Sequence, residues 1–327
     1  MAISEQFEKR GEGLLVRAPG KINLSLLVAG KRPDGYHELE TIMAKINWYD
    51  EILIEEKREG RRQKAEGRGR NDEPGIELIC KGPYKVPEGE DNLVYKAAKA
   101  ILEKAKRKNK KGKINKESEK RERHLRITLT KNMPAGTGLG SGSSDAAGTL
   151  MGINRFLKLG FSKKKLMEMA AKLGSDVAFF LGGPLAMCTG RGEKVQKLPK
   201  SEFRVFLIVP DVNVSTKRVY ENYRHDSAEY ERLHREINGY IKKKKIDLVC
   251  ELCANMLQES CFELDTELRE LKKGIAGTGI RPLCLSGSGS AMYCIIDKGN
   301  EEKIATYQNK LAREFGCKSI ILNNNSW

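Results

Sequence analysis

The chain has 327 residues, with 60 Lys+Arg against 44 Asp+Glu, a formal net charge of +16 and 39% hydrophobic residues. This length suits one large domain or two ordinary ones, and the apolar share is enough for a core, which excludes global disorder. No run of 18 apolar residues occurs and the start, MAISEQFEKRGEGLL, has acidic residues and no apolar signal core, so neither a membrane span nor a secretory leader is expected. The basic excess invites a nucleic-acid reading. Residues 57–70 hold seven basic and two acidic residues, and residues 104–123 hold eleven and three, which together carry 13 of the 16 net charges. Neither run has an aromatic residue, whereas readers of single strands interleave basic and aromatic side chains. Both runs are expected to be solvated loops inserted between structured elements. A basic nucleic-acid-binding protein stands as the alternative from a different class. Several of the eight cysteines lie in apolar runs and are expected as reduced, packed thiols; Cys250-x-x-Cys253 sits in a helical pattern with no second pair, so core packing is expected there, with metal or redox chemistry as the alternative.

In chain order, residues 14–27 read as two strands around Pro19-Gly20. Residues 41–55 read as strand, turn, strand, with Trp48, Tyr49 and Asp50 near the turn. Residues 75–81 give a short strand, and Asp91-Asn92 is a start signal for the helix LVYKAAKAILEKAK. Residues 124–131 alternate as a strand and run into a glycine-rich loop, 132–144. A helix leaves that loop and ends at Gly160; Ser162 caps the next, which Gly174 ends. The second half reads as a separate layer: a strand at 203–210, a helix from Thr216, helices over 246–262 and 263–275, strand, glycine turn and strand over 283–296, a helix over 301–315 and a last strand at 318–322. The pattern predicts an α+β enzyme with two lobes and a boundary near residue 200, dividing the chain into 1–199 and 200–327.

Four segments carry chemistry. Pro134, Ala135, Gly136, Thr137, Gly138, Leu139, Gly140, Ser141, Gly142, Ser143 and Ser144 form a loop fed by a strand and left by a helix. Glycines let the backbone come close to an anion, and the free N–H groups at the helix start point at it. The loop is neither a Walker A motif nor a dinucleotide fingerprint, because no Gly-Lys-Ser/Thr ends it and G-x-G-x-x-G fails in register. Asp176, in Gly174-Ser175-Asp176-Val177, follows a helix-ending glycine and is expected half-buried, as a helix cap or a functional acid. Lys21 lies in an apolar strand run, where it needs a partner such as a phosphate or Asp176. Gly287, Ser288 and Gly289 form a second glycine turn.

These pieces, in this order, resemble the GHMP kinases, the superfamily of small-molecule kinases that includes homoserine, galacto- and mevalonate kinases. The resemblance covers nearly the whole chain apart from the basic runs. It implies a two-lobed fold: an N-terminal lobe like ribosomal S5 domain 2, a C-terminal ferredoxin-like α/β lobe, and an active site in the cleft between them. Arg32-Pro33-Asp34-Gly35-Tyr36-His37 narrows it. With A-P-x-K-I-N-L and G-L-G-x-G-S-S-D-A-A, this segment is similar to the members that phosphorylate a cytidine-diphosphate-linked methylerythritol in the non-mevalonate isoprenoid pathway. A mevalonate- or homoserine-type kinase is the alternative within the superfamily.

The resemblance implies roles by position. Asp176 would sit beside the acceptor hydroxyl with Lys21 as its partner. Tyr36 and His37 would bind cytosine, Tyr220 would stack a second aromatic on it, and Asn23 would contact the methylerythritol part. Pro134 to Ser144 would hold the phosphates of ATP, Asn92 would fall near adenine, Thr216 would contact the substrate, and the turn with Gly287, Ser288 and Gly289, also substrate-binding, would close the far side. Mg²⁺ would bind chiefly through the phosphates, with Ser144 as a hydroxyl ligand and no dedicated protein metal site. The resemblance further implies a cytoplasmic enzyme with a small-molecule substrate and no specific nucleic acid, with a weak homodimer allowed. Ala178 stands where the family commonly has Pro, and Thr137 and Ser141 replace common glycines; none of these removes a proposed chemical group.

Overall fold

The computed structural model describes residues 5–57, 75–109, 124–296 and 301–325. The basic run 57–70 therefore lies outside the described residues except for Lys57, and the run 104–123 is described only to Asn109. The N-terminal part contains β1 (Phe7–Arg10), β2 (Gly13–Lys31), β3 (His37–Glu56), β4 (Ile76–Lys81), α1 (Leu93–Asn109), β5 (Leu125–Thr130), α2 (Ser141–Phe156), α3 (Lys163–Leu173), α4 (Val177–Phe180), β6 (Leu185–Gly190) and β7 (Lys194–Lys197). Its sheet runs β1-β2-β3-β5-β4, with β6 on β3 and β7 on β6; only β4 and β5 pair in parallel. The C-terminal part contains β8 (Arg204–Val209), α5 (Thr216–Asn222), α6 (Ser227–Lys242), α7 (Ile246–Glu251), α8 (Gln258–Leu264), α9 (Thr266–Gly277), β9 (Cys284–Leu285), β10 (Met292–Ile296), α10 (Glu301–Phe315) and β11 (Lys318–Asn323). Its antiparallel sheet has the order β11-β8-β10-β9. Two sheets with helices packed on them bear out the α+β, two-lobed reading.

Several elements differ from the sequence expectation for physical reasons. Residues 14–27 form one long strand rather than two. Pro19, which lacks an N–H, sits at a register shift between Pro19 and Gly20, so the ladder bulges there and continues. β3 likewise runs through Trp48 and Tyr49 without a turn; its residues 39–44 pair with β6 and its residues 51–56 with β5. α1 extends into the second basic run because Leu102 and Ala105 continue the buried stripe of Val94, Ala98 and Ile101. The helix expected over 246–262 breaks between Glu251 and Gln258, where Leu26 donates to the Ala254 carbonyl and Met256 donates to the Leu26 carbonyl. Cys253 and Cys284 form a disulfide with Cα atoms 4.8 Å apart, so these two are not the reduced thiols expected from their apolar surroundings. His234 Nδ1 lies at hydrogen-bond distance from Glu40 Oε2, 2.7 Å, a partnership across 194 residues that its neighbours in sequence do not reveal.

One core lies between α1–α4 and the N-terminal sheet, around Val16, Ile52, Ile127, Ala147, Leu150 and Phe179. A second joins the lobes, and a third fills the C-terminal part and takes in Leu26, Val28 and Leu39 of β2 and β3. β8 shows how the last two coexist. Val205, Leu207 and Val209 face the second core while Phe206 and Ile208 face the third, the two-residue period of a strand covered on both sides. The covered second face is what holds the C-terminal sheet against β2 and β3, and so sets the cleft.

Candidate active site

A cavity of about 990 Å³ opens between the lobes. One end is the glycine-rich loop. Gly136, Gly138 and Gly140 all take positive φ, +75°, +78° and +66°. At Gly138 a Cβ would fall 2.0 Å from the Ser286 carbonyl oxygen, so the loop packs directly on the second glycine turn. Ser286 Oγ donates to the Gly138 carbonyl at 2.9 Å and Ala291 N donates to the Thr137 carbonyl at 3.0 Å, which stitches loop to C-terminal lobe. Gly140 is the cap residue of α2 and offers no side chain, leaving the first-turn N–H groups free for an anion. Ser144 Oγ, in that first turn, is buried and has no hydrogen-bond partner among the described residues. An orphaned hydroxyl beside uncapped donors fits a phosphate with its divalent ion. No group of three or more His, Cys, Asp or Glu that could hold a metal occurs among the described residues.

The middle of the cavity holds an ion pair. Lys21 Nζ, 4% exposed, faces Asp176 Oδ2 at 3.6 Å and donates to Asn23 Oδ1. Burial pushes the Lys21 ammonium below its usual range, and the Asp176 charge works against that shift. Asn23 Nδ2 donates to Thr41 Oγ1 at 2.8 Å, whose hydroxyl donates to the Ser25 carbonyl, fixing the amide orientation. Asp176 occupies the cap position of α4 yet its side chain makes no capping bond; it is 29% exposed and lines the cavity. The capping alternative is thereby removed. The Lys21 N–H donates to the Leu139 carbonyl at 2.9 Å, so the strand that carries the lysine also carries the loop.

The other end is aromatic. His37 and Tyr220 stack with centroids 5.4 Å apart at 29°, and Tyr223 meets His37 edge-on at 5.7 Å. Burial first, then the charges of Lys31 and His225, lower the His37 pKa, so at neutral pH its ring can both donate and accept. Tyr36 is the one exposed large hydrophobic among the described residues, at 54%, and the Arg191 guanidinium lies 4.8 Å over its ring. Arg32 pairs with Asp34 and Glu38, and the Tyr36 N–H donates to Asp34. The R-x-D part of the motif is thus a brace that presents Tyr36 and His37.

The cavity is lined by Lys21, Asn23, Tyr36, His37, Ala135, Gly136, Gly138, Gly140, Ser141, Gly142, Ser143, Asp176, Thr216, Tyr220, Gly287 and Ser288. Six other candidates do not line it. Asn92 spends its side chain at the start of α1, accepting from Val94 N and donating to the Pro87 carbonyl; its neighbour Leu93 faces the cavity instead. The Pro134 carbonyl accepts from Ser141 Oγ and Thr137 Oγ1, Leu139 joins the core between the lobes, Ser144 is covered, and Gly289 packs toward Cys261.

Three features escaped sequence reasoning. Arg191 and Tyr223 line the cavity from a turn and a helix end without a motif of their own. Lys131, 1% exposed, lies between Asp50 and Asp145, and Asp50 Oδ1 accepts from the N–H groups of Asn132 and Met133 at 2.6 and 2.9 Å. That buried triad anchors the entry to the glycine loop; burial, with Asp50 nearby, raises the Asp145 pKa while Lys131 opposes it. Lys45 is likewise buried, directly across the ladder from Lys21. Charged residues within or next to apolar strands were the available signal, but their partners are distant in sequence.

Comparison with known proteins places these features among relatives. Residues 92–184 match the model of the GHMP kinases N terminal domain and residues 237–312 that of the GHMP kinases C terminal. The chain is 34% identical over 288 residues to a 4-diphosphocytidyl-2-C-methyl-D-erythritol kinase of Geobacillus sp. (strain WCH70), covering 86% of this chain and 88% of that protein. It is 35% identical over 308 residues to the protein of the same description from Citrifermentans bemidjiense, covering 94% and 98%. Among solved structures, a crystal structure of 4-(cytidine 5'-diphospho)-2C-methyl-D-erythritol kinase matches with a TM-score of 0.66 and 27% identity, over 96% of this chain and all of that one.

Proposed function

The chain belongs to the 4-diphosphocytidyl-2-C-methyl-D-erythritol kinase family of the GHMP kinases, and we propose that it transfers the γ-phosphoryl group of ATP to the 2-hydroxyl of 4-diphosphocytidyl-2-C-methyl-D-erythritol, in the cytoplasm, as a step of the non-mevalonate isoprenoid pathway. The observation that carries this reading is the Lys21–Asp176 pair, held at 3.6 Å in one cavity with a glycine loop at one end and His37, Tyr36 and Tyr220 at the other.

The acceptor oxygen forms its bond to the γ-phosphorus as the bond to the bridging oxygen breaks and ADP leaves. Asp176 orients the hydroxyl and takes its proton; Lys21, beside it, offsets charge on the moving group. The N–H groups of residues 140–143 hold the phosphates, and Tyr36 and Tyr220 supply ring faces to cytosine while His37 reads its edge. Mg²⁺ would be held chiefly by the phosphates and would neutralise triphosphate charge. The two units would divide at residues 199 and 200, between the strands of the two sheets. ADP release with ATP, Mg²⁺ and the cytidine substrate, run beside mevalonate and homoserine, tests the reading. Turnover of either of the latter without the first overturns it. Asp176→Asn should lower kcat by roughly 10²–10⁴ with ATP binding retained; full activity would remove Asp176 from its role.

A further inference from the structure

Lys45 is 2% exposed and has no carboxylate partner among the described residues. Its neighbours along β3, Ala44 and Ile46, are wholly buried and apolar, and an apolar residue would fill the site without the cost of burying a charge. What the ammonium does that a hydrocarbon cannot is donate. Its Nζ gives hydrogen bonds to the Phe180 carbonyl at 3.1 Å and the Gly182 carbonyl at 3.3 Å. Those oxygens lie at the C-terminal end of the single turn α4, where helix carbonyls have no partners of their own. Asp176 stands at the other end of the same turn.

The register explains the arrangement. Lys45 on β3 is the direct cross-strand partner of Lys21 on β2, so both side chains leave the sheet on one face. Lys21 meets Asp176 at the start of the turn and Lys45 meets the carbonyls at its end. Two adjacent lysines therefore hold the two ends of one short segment. The segment also backs the phosphate loop, because the Phe180 ring lies 3.1 Å from where a Gly140 Cβ would be. The charged group acting on Lys45 is Lys163, and the Phe179 ring lies 6.0 Å from its ammonium.

We infer that Lys45 is a positioning residue for phosphoryl transfer, fixing the 176–182 turn so that Asp176 keeps its place between Lys21 and the glycine loop. The inference rests on the function proposed above. The test is steady-state kinetics of Lys45→Met, alone and combined with Asp176→Asn, with ATP and the cytidine substrate. The expected result is a fall in kcat of tenfold or more with both KM values within threefold of wild type, and a loss of less than twofold when Asp176 is already Asn. An unchanged kcat, or an equal loss in both backgrounds, overturns the inference, since a general structural role would not depend on Asp176. If Lys45→Met fails to fold, Lys45→Gln, which keeps a donor without the charge, is measured in the same cycle, and a kcat within threefold of wild type is then expected; a tenfold loss in that variant overturns the donor role. An Asp176→Asn enzyme with full activity would strike the functional reading itself, whereas an inactive Asp176→Asn beside an unaffected Lys45→Met strikes only this inference.

Discussion

Gly138 and Gly142 lie four residues apart, one in the glycine loop and one in the first turn of α2, and the structure gives them opposite fates on substitution by alanine. Gly138 has φ +78°, a conformation that costs an alanine roughly 1–2 kcal/mol. Its Cβ would stand 2.0 Å from the Ser286 carbonyl oxygen, so the second glycine turn must retreat by more than an ångström, an overpacking cost of roughly 1–3 kcal/mol. Retreat also strains the bond from Ser286 Oγ to the Gly138 carbonyl, about 1 kcal/mol more. The total for Gly138→Ala is roughly 3–6 kcal/mol, a fall in melting temperature of order 10 °C. Gly142 lies in helix α2 with a Cβ position 3.5 Å from Leu93 Cδ1, ordinary contact, and alanine there should stabilise the helix by roughly 0.5–1 kcal/mol. Thermal melts of the two variants, with KM for ATP measured on Gly138→Ala, check the reasoning. Gly138→Ala should melt well below wild type and lose ATP affinity more than acceptor affinity. Equal melting temperatures for the two variants would refute the close packing of loop on turn.

Further outcomes follow from the buried charges and the aromatic end. Lys131→Met leaves Asp50 and Asp145 buried without their cation and should destabilise by roughly 3–5 kcal/mol, seen as a lower melting temperature. Burial, with Lys163 nearby, lowers the Lys45 pKa from 10.5 to about 7. Between those values the unfolded chain binds the extra proton, so this group makes stability rise with pH from about 7 to 10.5, by roughly 1.4 kcal/mol per pH unit. Wild-type melting temperature should therefore gain on that of Lys45→Met from pH 7 to 9; a constant difference would contradict the depressed pKa. Tyr220→Ala, which removes the ring stacked on His37, should raise KM for the cytidine substrate tenfold or more and leave KM for ATP unchanged, as initial-rate kinetics would show.

What the sequence disclosed and what it hid divide along a physical line. The glycine loop, the capped helices and the Tyr36-His37 turn are local: the residue types that make them are also the ones that mark them. Pro19-Gly20 and Trp48-Tyr49-Asp50 carried turn-like residues but lie within long strands, because a bulge absorbs them while cross-strand pairing continues on both sides. β6 and β7 gave no clear alternation, since the pairing partner of β6 is a strand more than 140 residues earlier. Lys45, Lys131 and Arg191 were silent for the same reason. Their meaning lies in Phe180, Asp50 and Tyr36, which only the fold brings near.

The central claim is that the Lys21–Asp176 pair serves a cytidine-diphosphate-linked acceptor. It is tested most directly by incubating the enzyme and ATP-Mg²⁺ with an equimolar mixture of 4-diphosphocytidyl-2-C-methyl-D-erythritol, mevalonate and homoserine, followed by ³¹P NMR. One new phosphomonoester resonance is expected, on the 2-oxygen of the cytidine-linked alcohol, growing with ADP and absent with Asp176→Asn. A phosphomonoester on mevalonate or homoserine, or an undiminished signal from Asp176→Asn, would contradict it.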